Sequence, residues 1–111
     1  MALFEIVNEK IKNWAESVEL LTKGNPISQF DKILEECDEL FEIYANDFSE
    51  NFKAVEDEYG DLLHSVLVLG LMLGVNPVDA LEQSNIKNSS RKWRLVNGQL
   101  VRDKEELGGV G

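Results

Sequence analysis

With 111 residues the chain has room for one core, and a hydrophobic content of 43% excludes wholesale disorder. Lys and Arg total 11 against 21 Asp and Glu, a formal charge of −10 that excludes the cation-rich surface duplex nucleic acid demands. The opening Met-Ala-Leu-Phe-Glu-Ile lacks the basic and apolar regions of a secretory signal, and the longest apolar stretch, Val66 to Val75, falls short of the about 20 residues that span a bilayer. Cys37 is the only cysteine, so neither an intrachain disulfide nor a Cys-based zinc site can form. The expectation is a single cytoplasmic domain over residues 1–111, helical over about 2–92, with no membrane or nucleic-acid polymer as partner.

Phe4, Val7, Ile11, Trp14, Val18 and Leu21 form an apolar stripe that predicts a first helix over about 2–23. Lys23-Gly24-Asn25-Pro26 breaks it, Gly24 by offering a left-handed residue and Pro26 by refusing to extend a helix. Ser28 with Asp31 three residues on resembles a helix start, and Phe30, Ile33, Leu34, Cys37, Phe41 and Tyr44 mark the expected buried face of a second helix. After a polar break at Asn46 to Asn51, Ser49 is a candidate cap for a third helix over about 50–74. That helix is acidic at first, then apolar all round from Leu62 to Leu73 except for His64, Ser65 and Gly70. Such a helix must be central, in its own domain or against a second subunit. Gly74 ends it, and Asn76-Pro77-Val78-Asp79 opens a fourth helix over about 77–92. Asn97-Gly98 between Leu95-Val96 and Leu100-Val101 signals a tight hairpin, with hairpin and tail over about 93–111 and a loose Gly108-Gly109-Val110-Gly111 end. The hairpin strands are short, so docking on the bundle or on a partner is expected. The fold class is therefore all-α, a four-helix-type bundle with a short C-terminal β-hairpin, assembling as an oligomer.

The chemistry concentrates in two acidic clusters, Glu35-Glu36-Cys37-Asp38-Glu39 and Glu58-Tyr59-Gly60-Asp61. In each, acids at i and i+3 lie about 60° apart on one helix face. The first cluster alone reads most simply as solvated surface. The second opens the apolar helix, where unpaired charge is expensive. Two such pairs on consecutive helices can face one another in an antiparallel hairpin, and oxygen-only ligands suit Mg²⁺ or Mn²⁺.

Glu-Glu-x-x-Glu, 18 intervening residues and Glu-x-x-Asp resemble the all-α nucleoside triphosphate pyrophosphohydrolases of the MazG-like type. The resemblance extends to Gln29-Phe30-Asp31-Lys32-Ile33-Leu34, Gly60-Asp61-Leu62-Leu63 and Asn85-Ile86-Lys87-Asn88-Ser89-Ser90-Arg91, covering about residues 25–101. It implies Mg²⁺, with Mn²⁺ as substitute, held by Glu36, Glu39, Glu58 and Asp61. Glu35 is then a neighbouring acid, a ligand for a further metal or the group that orients the attacking water. Lys87, Asn88 and Arg91 would meet the phosphates or sugar, where cations offset polyphosphate charge, although pairing with a helix C-terminus explains them equally well. Gln29 and Trp14 fall near the base, as amide reader and stacking surface, with Trp14's place in the stripe favouring core.

The implied activity is Mg²⁺-dependent cleavage of a nucleoside triphosphate, most readily a deoxynucleotide, to the monophosphate and pyrophosphate by a homodimer or dimer-built homotetramer. A dUTP- or phosphoribosyl-ATP-specific enzyme is the near alternative. Two other classes compete, a redox di-metal bundle built on Asp61-Leu62-Leu63-His64 and a non-catalytic helical interaction module. The chain has one His, so His64 reads better as a packed histidine, and Cys37, within its apolar stripe, as a buried thiol.

Overall fold

The computed structural model describes residues 2–47 and 51–103. It is mostly helical, with α1 (Leu3–Ser17), α2 (Leu20–Lys23), α3 (Pro26–Asp47), α4 (Phe52–Leu73) and α5 (Pro77–Ser90), then an antiparallel hairpin of β1 (Trp93–Val96) and β2 (Gln99–Arg102). The chain divides into two compact units, residues 1–78 and 79–111. No single helix among the described residues is long and apolar enough to cross a membrane.

In the first unit α3 packs along α4, and α1 lies against α4. The predicted first helix is split. Ser17 Oγ donates to the Trp14 carbonyl at 2.6 Å, the Glu19 amide reaches only to Glu16, and Glu19 turns left-handed at φ 60° before α2 begins. A hydroxyl that competes for helix carbonyls and one left-handed residue suffice to end α1, and neither disturbs the apolar spacing that runs through the break. Gly24 is not left-handed, as its φ is −75°. It is needed for room, because a Cβ there would collide with the Leu20 carbonyl and lie 3.0 Å from Met72 Cε.

The starts of α3, α4 and α5 each carry an asparagine cap. Asn25 Oδ1 accepts from the Ser28 amide at 2.9 Å and Pro26 is the first residue of α3, so Asn25 holds the position expected of Ser28. Asn76 Oδ1 accepts from the Val78 amide at 3.0 Å ahead of Pro77, as expected. Asn51 caps α4, its side chain accepting from the Ala54 amide at 3.3 Å, while Ser49 lies outside the described residues. Gly74 ends α4 in the left-handed region at φ 73°, as expected.

The faces that meet are displaced from the predicted ones. On α3 the inward line is Gln29, Ile33, Glu36, Leu40 and Ile43; of the expected face only Ile33 lies on it, whereas Phe30, Leu34, Cys37, Phe41 and Tyr44 are exposed. The two lines share one spacing and differ by one residue, a rotation of about 100°. The Cys37 thiol is accordingly exposed and not buried. On α1, Ala15 is fully buried, while Phe4, Val7 and Trp14 stay open to solvent, as does Val18 just after the helix. On α4, Ser65, Leu67 and Val68 are buried, whereas Tyr59, Leu63, Val66 and Leu73 are exposed.

In the second unit Asn97 and Gly98 both take positive φ, 51° and 78°, the backbone that a two-residue hairpin turn requires. Trp93 Nε1 donates to the Asn88 carbonyl at 2.7 Å, so the hairpin docks on the end of α5. The Asp103 amide donates to the Lys92 carbonyl at 2.9 Å and extends the pairing by one bond. The Gly108 to Gly111 end lies outside the described residues.

Val68, with 1% of its surface exposed, is the largest fully buried side chain among the described residues. Val68→Ala is expected to cost about 2 kcal/mol, from two lost methyl groups and the cavity they leave. Chemical denaturation of the two proteins checks this.

Candidate metal centre

Glu36 comes from the inward line of α3, and Glu58 and Asp61 from successive turns of α4. One carboxylate oxygen of each lies within 4.8 Å of the others. Octahedral Mg²⁺ with bonds of about 2.1 Å sets its ligand oxygens about 3 to 4 Å apart, a span comparable to that of this group, in which Glu36 is buried, Glu58 half-buried and Asp61 exposed. Glu36 is only 6% exposed, and its Oε2 and the Oε2 of Glu58 are buried without a hydrogen-bond partner among the described residues. Two buried acceptor oxygens without a donor are costly and call for a cation or a proton.

Neighbouring side chains set the electrostatics of these acids. Lys32, one turn before Glu36, places Nζ 2.9 Å from Glu36 Oε1. This hydrogen-bonded pair holds the Glu36 carboxyl below the usual glutamate range against the opposing effect of burial, and raises the Lys32 ammonium above its own range. Glu58 goes the other way. Burial, then the charges of Glu39 and Glu36, push its carboxyl upward, with Asp61 adding to them. The two carboxyls that face one another are thus shifted in opposite directions, Glu36 by its lysine and Glu58 by burial and like charge.

The other predicted residues fall as follows. Glu39, one turn beyond Glu36 and half-buried, bears on Glu58 by charge and hydrogen bonding but is outside the tightest group of three. Glu35 is exposed on the flank, 3.7 Å from Lys32 Nζ. Gln29, 9% exposed, donates Nε2–H to the Ser65 carbonyl at 2.9 Å, which commits one of its two amide hydrogens to α4. Trp14 is half-exposed and meets His64 edge-to-face, ring centres 4.9 Å apart, so His64 is packed against an aromatic ring and is not one of the converging ligands. Lys87, Asn88 and Arg91 belong to the second unit, Lys87 and Asn88 exposed on α5 and Arg91 half-buried just after it.

Lys32 is the residue that motif reading passed over. Its signal was a lysine four residues before Glu36, easily discounted because Lys-before-Glu is the weaker order on a helix. Comparison with protein-family models, curated proteins and solved structures finds no match.

Glu58 binds a proton more tightly in the folded chain than in the unfolded one, so its ionisation costs stability at high pH and nothing below the ordinary value of 4.5. Glu58→Gln is therefore expected to melt higher than the parent in chelator at neutral pH. That advantage should shrink as pH falls through the raised value and vanish below about 4.5. Added Mg²⁺ should reverse the order, because only the parent keeps the full ligand set. Thermal melts across pH, with and without Mg²⁺, provide the check.

Proposed function

We propose that this chain is a Mg²⁺-dependent nucleoside triphosphate pyrophosphohydrolase of the MazG-like kind, acting in the cytoplasm on a nucleotide, most readily a deoxynucleoside triphosphate. The observation that carries the reading is the convergence of Glu36, Glu58 and Asp61 from two helices, with two buried carboxylate oxygens left unpartnered. Glu36, Glu58 and Asp61, with Glu39 beside them, are the residues to hold the cation. A bound Mg²⁺ would draw in phosphate oxygens and lower the pKa of a coordinated water. Glu35, exposed beside the group, is suited to orient that water toward the phosphoanhydride. Lys32 balances Glu36 before the cation arrives and supplies positive charge at the edge of the site. Lys87, Asn88 and Arg91 are the proposed partners of the polyphosphate or sugar, and Trp14 of the base.

The all-oxygen donor set supports this reading over a redox di-metal bundle. His64 rests on Trp14, and an oxygen-only group matches Mg²⁺ or Mn²⁺. A non-catalytic helical module accounts less well for a carboxylate as buried as Glu36 at the helix interface, where an apolar residue would pack at lower cost.

Triphosphates incubated with Mg²⁺ are expected to yield pyrophosphate and monophosphate, with turnover lost in chelator and restored by Mg²⁺ or Mn²⁺ but poorly by Ca²⁺. Glu58→Gln and Asp61→Asn should each lower kcat about 100-fold or more, whereas Glu42→Gln, exposed on α3, should stay within about twofold. Undiminished hydrolysis in excess chelator would sink the proposal.

The proposed active form is a homodimer or a dimer-built homotetramer. Phe30, Leu34, Phe41 and Tyr44 on α3 and Tyr59, Leu63, Val66 and Leu73 on α4 form two apolar lines open to solvent in the single chain. Soluble monomers rarely carry such a surface, and the helical spacing of both lines suits helices of a second copy. Sedimentation equilibrium at micromolar protein is expected to show the dimer or tetramer. Phe41→Asp should weaken association at least tenfold while leaving helical circular dichroism in place, and a hydrolytically active monomer would refute the assembly.

A further inference from the structure

The bond from Gln29 to α4 has a place in the helix pair that its base-reading assignment does not explain. Gln29 and Ser65 are 9% and 5% exposed, so the amide and the carbonyl that accepts from it at 2.9 Å are both withdrawn from water. A buried amide without its partner is costly, which makes this contact directional and selective. The rest of the inward line, Ile33, Leu40 and Ile43, is apolar apart from Glu36, and apolar contact tolerates sliding along the helix axis.

Glu36 lies seven residues after Gln29 on α3, and Glu58 lies seven residues before Ser65 on α4. Seven residues are two turns, about 10 Å, and return to nearly the same face. Because Gln29 meets Ser65 while Glu36 meets Glu58, the helices run antiparallel and the two offsets point the same way in space. The hydrogen bond and the carboxylate group are therefore two readings of one register. A slide of one turn, about 5.4 Å, would break both.

We propose that Gln29 is a positioning residue for the carboxylate group, its bond to the Ser65 carbonyl setting the axial register that brings Glu36 opposite Glu58 and Asp61. This rests on the metal reading of those acids. Gln29 touches neither the cation nor the reacting atoms in this role. It acts through the helix it holds.

The test measures Mn²⁺ binding by the full chain, with Mn²⁺ as the only added ligand, by electron paramagnetic resonance of the free ion. Gln29→Met keeps length and volume but has no donor, and it is expected to weaken Mn²⁺ binding about 10- to 100-fold, the range for residues that orient metal ligands. Val68→Ala is the control, since it destabilises α4 without touching the register bond, and it should leave Mn²⁺ affinity within about twofold. If Gln29→Met fails to fold, the same comparison is made with Gln29→Asn, whose amide is one methylene short of Ser65. A Gln29 variant that binds Mn²⁺ as tightly as the parent, or loses no more than Val68→Ala at an equal fall in Tm, overturns the positioning role and leaves the metal reading intact. Failure of the parent chain itself to bind Mn²⁺ overturns the metal reading, and the inference falls with it.

Discussion

The constraint on which the first unit depends is the burial of Glu36 between α3 and α4 at 6% exposure, facing two more acids. Removing a carboxylate from water costs several kcal/mol unless its lone pairs find donors, and among the described residues only Oε1 finds one, in Lys32. The remaining strain falls on Glu58, which burial and neighbouring charge drive toward protonation. A chain selected for stability alone would place an apolar residue at position 36. In the metal reading proposed above, a divalent cation among these acids is the state in which this interface is satisfied.

The surrounding structure limits how far that repulsion can push the helices apart. Gln29 joins α3 to α4 two turns from the acids. Repulsion among Glu36, Glu39, Glu58 and Asp61 can thus be relieved by a proton or a cation with less recourse to separating the helices. In the metal reading proposed above, preorganisation of this sort strengthens the hold on the cation.

How much could be read from the sequence varied with the physics involved. Local backbone chemistry was legible. Asn76-Pro77, Gly74 and Asn97-Gly98 act where their conformational preferences placed them, and the paired acids were visible because i, i+3 spacing puts both members of a pair on one helix face. The choice between two faces was not legible. On α3 the lines through Phe30 and through Gln29 have identical spacing, and apolar content alone selected the first, yet the second faces α4. Hydropathy ranks surfaces by their aversion to water without naming what covers them, so a face suited to another chain looks like a core. Cys37 was misplaced for the same reason, as it rides on that outer line. The break after Ser17 escaped because a hydroxyl's reach to a carbonyl leaves hydrophobic spacing unchanged. Gly24 was assigned the wrong virtue, conformational freedom in place of the lack of a side chain. Lys32 was overlooked because a lone i, i+4 pair looks like any surface ion pair until Glu36 proves buried.

The two lines on α3 also suggest why a small chain would combine association with a buried acidic site. Glu36 and Gln29 face inward on the same helix that presents Phe30, Leu34 and Phe41 outward, one residue away in each case or close to it. Covering the outer line in the proposed dimer would contribute apolar burial to the very helix whose inner line is destabilised by charge. Rotating α3 by about 100° to bury Phe30 and Leu34 within the single chain would withdraw Glu36 from Glu58, so the monomer cannot satisfy both lines at once. A second copy removes that conflict, because it accepts the apolar line and leaves the acids facing one another. In the assembly proposed here, subunit association and cation binding therefore favour the same orientation of α3, and by linkage each strengthens the other.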